Sequence, residues 1–217
     1  MKSESLVNAA LAILVACALV VTGLVVRREL FTPSAVAQST KPVKVDDWRS
    51  YAVAGQRMGP REARLTIIEF ADYQCPFCRE THKRLEQLRK DHPSDVAVIH
   101  RHYPLPTHPH ARAAALASEC AAEQGAFESY QGVVYASQDS IGVTSWAEYA
   151  KRAGVRDSAR FETCLREETF AQRVDEDMAA GRRLGLRATP TLLVNDMKVE
   201  GAIPEELLRR YLDESGR

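Results

Sequence analysis

Cys75-Pro76-Phe77-Cys78 is the stretch of this chain best equipped for chemistry. Proline suits the first turn of a helix, where its missing N–H costs nothing, so Cys75 falls at the N-cap. Cys78 then lies one turn on, on the same face, within reach of a disulfide. Free N–H groups and the positive end of the helix dipole stabilise a thiolate on Cys75. A lowered pKa makes that thiolate abundant near neutral pH and a good leaving group. Such a pair can exchange two electrons with a partner. The competing chemistry is half of a zinc site, which requires a second ligand pair. Cys17, Cys120 and Cys164 stand alone, although His100, His102, His108 and His110 could supply nitrogen to a metal-binding module. The plainer reading puts His100 and His102 on a strand and His108 and His110 in a Pro-rich turn, with no metal bound.

Two further features surround the cysteines. Glu69 sits in an apolar strand six residues before Cys75, where a carboxylate is expensive to bury unless something pairs or uses it. It is either a salt-bridge partner or an acid that moves protons for Cys78. Thr189-Pro190-Thr191 precedes a second strand. Proline is tolerated at a strand start, and a cis Thr-Pro bond there would be a positioned turn.

The elements that must position these groups follow from pattern. Leu65 to Ala71 has both faces apolar, which predicts a central strand covered on both sides. Arg79 to Lys90 has helical spacing, with Thr81, Leu85 and Leu88 on one stripe and Pro93 at its end. Val96 to Tyr103 is a second strand, so the unit reads as a parallel pair with a right-handed crossover. Ala111 to Ala136 is Ala-rich and helical. Ser145 opens a capping box, Asp157 or Ser158 caps another helix, and a fourth runs from about Thr169 to Leu184. Thr191 to Gly201 is a hairpin around Asn195-Asp196, and Pro204 to Glu214 is an amphipathic helix.

Composition narrows the class. The chain has 29 Lys+Arg against 29 Asp+Glu, 45% hydrophobic and 27% charged residues. That balance excludes a nucleic-acid binder held by bulk charge and argues for an ordinary packed core. Leu6 to Val26 carries no charge and as a helix would span about 30 Å, enough for a bilayer core. Ala35-Val36-Ala37 resembles a signal cleavage site, but it lies well beyond the apolar run. The reading is an uncleaved membrane anchor over residues 1–30, a Pro- and Ser-containing linker over 31–47, and a domain from 48 to 217. Arg27 and Arg28 alone would keep that domain in the cytoplasm. The cysteine chemistry argues for the opposite, extracytoplasmic side of the cell membrane.

Together the residues resemble the DsbA-like thiol-disulfide oxidoreductases of the thioredoxin superfamily. The resemblance runs from Glu69-Phe70-Ala71-Asp72-Tyr73-Gln74-Cys75-Pro76-Phe77-Cys78 through Arg101-His102-Tyr103-Pro104-Leu105 and His108-Pro109-His110-Ala111. It continues over Glu119 to Gly125 with Phe127, then Ala188-Thr189-Pro190-Thr191. It implies an α/β thioredoxin fold with a helical insertion over about 107–185. It assigns Cys75 as exposed nucleophile, Cys78 as buried resolving thiol and Glu69 as the buried acid. Pro190 becomes the cis-proline that offers backbone groups to an extended substrate, with Thr189 beside the sulfurs and Pro76 and Phe77 completing the substrate surface. The Pro-Phe pair departs from the Pro-His pair of the strongest oxidants, which implies a weaker oxidant. A Cys120–Cys164 structural disulfide is implied as well. The implied partners are cysteine-containing substrate proteins and a membrane redox partner. No further cofactor is implied. Disulfide formation is the expected direction, with reductase or isomerase as the alternative.

Overall fold

The computed structural model describes residues 41–215 and, before them, positions 14, 15, 17, 18 and 20–22, which are helical. Most of Leu6–Val26 and of the linker therefore lies outside the described residues. Among the described residues no helix is long and apolar enough to cross a membrane.

The centre is a six-stranded mixed sheet. Its strands are β1 (Val43–Lys44), β2 (Gln56–Met58), β3 (Leu65–Ala71), β4 (Val96–His102), β5 (Thr191–Val194) and β6 (Met197–Glu200), in the order β1-β6-β5-β3-β4-β2. β3 and β4 pair in parallel, joined by helix α1 (Pro76–Asp91). The other neighbours are antiparallel. Every residue of β3 is buried, as two apolar faces require. Leu65 and Ile67 on one face pack with Leu85 and Leu88 of α1 and with Leu208 and Leu212 of α7 (Glu205–Glu214). Ile68 and Phe70 on the other meet Tyr51, Ala180 and Leu186. Glu69 shares the α1 face, and so do His100 and His102 of β4 by the same alternation.

Five helices separate β4 from β5: α2 (Ala111–Ala122), α3 (Phe127–Ala136), α4 (Trp146–Arg152), α5 (Ser158–Arg166) and α6 (Ala171–Arg183). The expected continuous helix from Ala111 to Ala136 is two. Gly125 takes φ +73° between them, a left-handed turn that ends α2. Ser145 and Asp157 cap α4 and α5 by accepting from the amides of Glu148 and Arg160. The linker expectation for 31–47 also needs correction at its end. Val43 and Lys44 pair with Lys198 and Met197, and the Val45 amide donates to the Asp196 carbonyl. Backbone pairing of a short edge strand leaves no periodic trace in a polar sequence.

Candidate active site

Helix α1 begins at the dithiol. Cys75 is its N-cap in extended conformation (φ −76°, ψ 119°), and Pro76 is the first helical residue. The helix therefore starts where the Cys75-Pro76 signal places it, and the stripe that begins at Arg79 is its continuation. The Cys75 carbonyl accepts from the amides of Cys78 (3.1 Å) and Arg79 (3.3 Å). Both thiols are free. Cys78 is wholly buried, and Cys75 retains 4% of its surface. The expectation of an exposed nucleophile is thus corrected, since neighbouring chain covers it. The Cys75 thiol donates to the Thr189 carbonyl at 3.2 Å, and the sulfur joins an apolar cluster with Tyr73 and Tyr135. Pro76 beside it is exposed and Phe77 half-buried.

The two thiols differ sharply. Cys75 is lowered from 9.0 to about 6. The Cys78 thiol contributes most by hydrogen bonding to the Cys75 sulfur, and burial opposes. The otherwise unpartnered Thr189 hydroxyl and the Cys78 and Phe77 amides add to the lowering. Cys78 is pushed well above its ordinary value, chiefly by burial and then by Cys75, with Glu69 also unfavourable to a second anion. One sulfur is thus an anion near neutrality while its partner keeps its proton.

Thr189-Pro190 is a cis peptide opposite the thiols. The Pro190 carbonyl is taken by the Gly201 amide at 2.8 Å. The backbone of Thr189, rather than that of Pro190, is therefore what meets Cys75.

Glu69 is buried on the α1 face. Its Oε2 lies 3.5 Å from Nδ1 of His100, and its Oε1 has no hydrogen-bond partner. His100 is fully enclosed, and burial holds its imidazole below the usual value. Gln131 of α3 meets the same Nδ1 at 2.8 Å. Next on the same face of the strand, His102 pairs with Glu119 at 2.9 Å. Burial opposes charge on Glu119, yet His102 and Arg173 hold it down at about 2.

Two positioning residues, Asp72 and Gln138, escaped the sequence reading. Asp72 is buried, and its carboxylate accepts from the amides of Gln74 and Leu105 (both 2.7 Å) and meets Nδ1 of His108 at 2.8 Å. Its amide donates to Sγ of Cys78 (3.4 Å), and its carbonyl accepts from the amide of Cys75 (3.1 Å). Gln138, in the turn after α3, donates Nε2 to the carbonyls of Tyr73 (2.7 Å) and Cys75 (2.9 Å). The only signals were the polarity of Asp72 next to a strand and the spacing of His108. Gln138 gave none. A cavity of about 630 Å³ bordered by Trp48, Arg57, Thr66 and Asn195 lies toward the start of β3, away from the thiols.

Residues 52–214 match the family profile described as Thioredoxin. The chain belongs to this thioredoxin family. Within the superfamily its likeness is to the DsbA-like thiol-disulfide oxidoreductases. DsbA2 of Pseudomonas aeruginosa is 33% identical, over 73% of this chain and 92% of that one, with a TM-score of 0.57. BdbD of Bacillus subtilis, in its oxidised form, shares the fold with a TM-score of 0.66 at 23% identity, over 75% and 96% of the two chains. A curated relative, the Na(+)/H(+) antiporter NhaA 3 of Salinispora tropica, is 37% identical over 151 residues, which are 69% of this chain and 23% of that protein. The chain spans about a quarter of the length of such relatives.

In this thioredoxin-family chain Cys120 and Cys164 are disulfide-bonded and join α2 to α5 across 44 residues. His110, by contrast, lies against Gly142, and His108 is engaged by Asp72. The histidines that could have completed a metal site point to different partners.

Proposed function

We propose that the chain is a protein thiol-disulfide oxidoreductase that works outside the cytoplasm and forms disulfides in substrate proteins. The observation that carries this is the asymmetry of the pair, with Cys75 lowered to about 6 and Cys78 raised. A stabilised Cys75 thiolate favours the reduced enzyme and so makes its disulfide the electron acceptor.

The reaction starts from the Cys75–Cys78 disulfide. A substrate thiolate attacks Sγ of Cys75, the S–S bond breaks, and Cys78 leaves with the electron pair. Glu69 supplies the proton that Cys78 takes up. The second substrate thiolate attacks the substrate sulfur of the mixed disulfide. A substrate disulfide forms, and Cys75 leaves as a thiolate. Substrate binds along Pro76, Phe77, Thr189 and Pro190. A membrane redox partner then takes two electrons by the reverse exchange.

The Cys120–Cys164 bond supports an oxidising compartment, because such bonds persist there. The uncharged Leu6–Val26 segment supports an anchor that keeps the domain at the membrane. No transport is assigned to this chain, since the antiporters match it over only about a quarter of their length.

The test uses two substitutions. Cys75→Ser abolishes turnover of a reduced dithiol protein. Cys78→Ser retains attack but not resolution and accumulates mixed disulfides with clients in cells. Full turnover by Cys75→Ser, or no adducts with Cys78→Ser, overturns the assignment.

A further inference from the structure

Cys78 must gain and lose a proton in every cycle, yet none of its surface reaches solvent. Glu69 can take that proton, but it too is buried, so the proton needs a way on to bulk water. Beside Glu69 is a cavity of about 20 Å³, room for about one water. His82 and Gln131 line it with Glu69, and Glu86, Arg89 and Glu128 form its outer wall. The Glu86 and Glu128 side chains are 41% and 56% exposed. His82 is on α1, one turn beyond Cys78, and its ring stacks on Tyr135 with centroids 4.8 Å apart. No other ring nitrogen lines this cavity.

We propose that His82 is the proton-relay residue that connects Glu69, through this cavity, to solvent at Glu86 and Glu128. The inference rests on the reading of Glu69 as the acid for Cys78. In re-oxidation the Cys75 thiolate attacks the partner disulfide, and one partner sulfur leaves with the electron pair. The Cys78 thiol then gives its proton to Glu69, and its sulfur attacks Cys75 and expels the second partner sulfur. Glu69 passes the proton through the cavity to His82, which releases it past Glu86. Burial keeps the His82 imidazole below its ordinary value, so it is neutral and able to accept at pH 7. The groups facing it are Glu69 from β3, His100 from β4, Glu86 from its own helix, and Glu128 and Tyr135 from α3.

A rival exit starts at His100. It would pass to His102, whose ring centroid is 4.9 Å away, then to Glu119 and the half-exposed Arg173. An arginine does not release protons in this pH range, so that path ends at a group that cannot relay.

Ellman's reagent, an aromatic disulfide, tests the relay on the full chain with Cys17→Ser. The first thiobenzoate leaves when the Cys75 thiolate attacks the reagent. The second leaves when deprotonated Cys78 closes the enzyme disulfide. His82→Phe, which keeps a ring against Tyr135, slows only the second phase, by about tenfold or more. Added imidazole restores it. A structural effect would disturb the first phase too and would not be rescued. If the Phe ring changes the first phase, His82→Gln is read in its place. A second phase within about twofold of the parent, or one slowed without rescue by imidazole, overturns the relay. A slow second phase in His100→Phe with a normal one in His82→Phe does the same and gives the exit to His102. An unchanged second phase in Glu69→Gln would instead remove the role of Glu69 itself.

Discussion

Nδ1 of His108 sits 2.8 Å from Oδ2 of Asp72, and through Asp72 it is tied to both active-site cysteines. The Asp72 amide points at one sulfur and its carbonyl holds the amide of the other. A side-chain contact on the loop after β4 therefore fixes where the dithiol lies. His108→Ala leaves the buried Oδ2 with the Leu105 amide alone. We expect a loss of about 1–3 kcal/mol in urea unfolding. Asp72→Ala also strands the Gln74 and Leu105 amides and costs more. Equal stability of His108→Ala and the parent would show that the contact anchors nothing.

Gln138 fastens the helical segment to the nucleophile. Its amide serves two carbonyls, those of Tyr73 and Cys75, and is itself buried. Gln138→Ala leaves both without that donor, and we expect about 1–3 kcal/mol of destabilisation. Alkylation of Cys75 by iodoacetamide should also change in rate, because the N-cap carbonyl is no longer held. Unchanged unfolding and unchanged alkylation would contradict this.

These two anchors also show what was and was not legible in the sequence. The start of α1 could be read because Cys75-Pro76 is a local signal whose physics involves only its own helix. β3 could be read because burial on both sides favours apolar residues, and of its two polar residues, Thr66 and Glu69, the carboxylate identified itself. Asp72, Gln138 and His82 act across distance in sequence. Gln138 reaches back 63 residues to Cys75, and nothing in its neighbourhood requires a glutamine. The break at Gly125 was obscured by the alanines around it, whose helix propensity is high on both sides. β1 and β2 are short edges held by main-chain pairing, which any side chain permits. The burial of Cys75 depends on Thr189, which comes to it only when β5 docks against β3.

The Cys120–Cys164 bond closes a loop of 44 residues within the helical segment. Replacing both by Ala removes up to about 4 kcal/mol in the chain-entropy account. The loss should appear in urea unfolding of the oxidised chain, while the second-order reaction of Cys75 with a substrate thiol stays close to the parent rate. No change in unfolding would show that helix packing alone holds α2 to α5.

The thiol shifts carry a pH dependence with a definite sign. The folded pKa of Cys75, about 6, lies below its ordinary 9.0. Between those values the unfolded chain binds more protons, so the reduced fold gains stability as pH rises from about 6 toward about 9. The gain is lost as pH falls through about 6. The urea midpoint of the reduced parent, relative to Cys75→Ala, should therefore climb across that window. A flat difference would mean that the thiol is not stabilised as an anion.

The ionisation of Cys75 underlies every step above, and its direct measurement is the rate of iodoacetamide alkylation against pH in the reduced chain with Cys17→Ser. Cys78 does not interfere, since burial keeps it protonated throughout the range. The account predicts a single titration with its midpoint near pH 6 and a plateau above about pH 7. A rate that is still rising through about pH 8.5, as for an ordinary free cysteine, would contradict it.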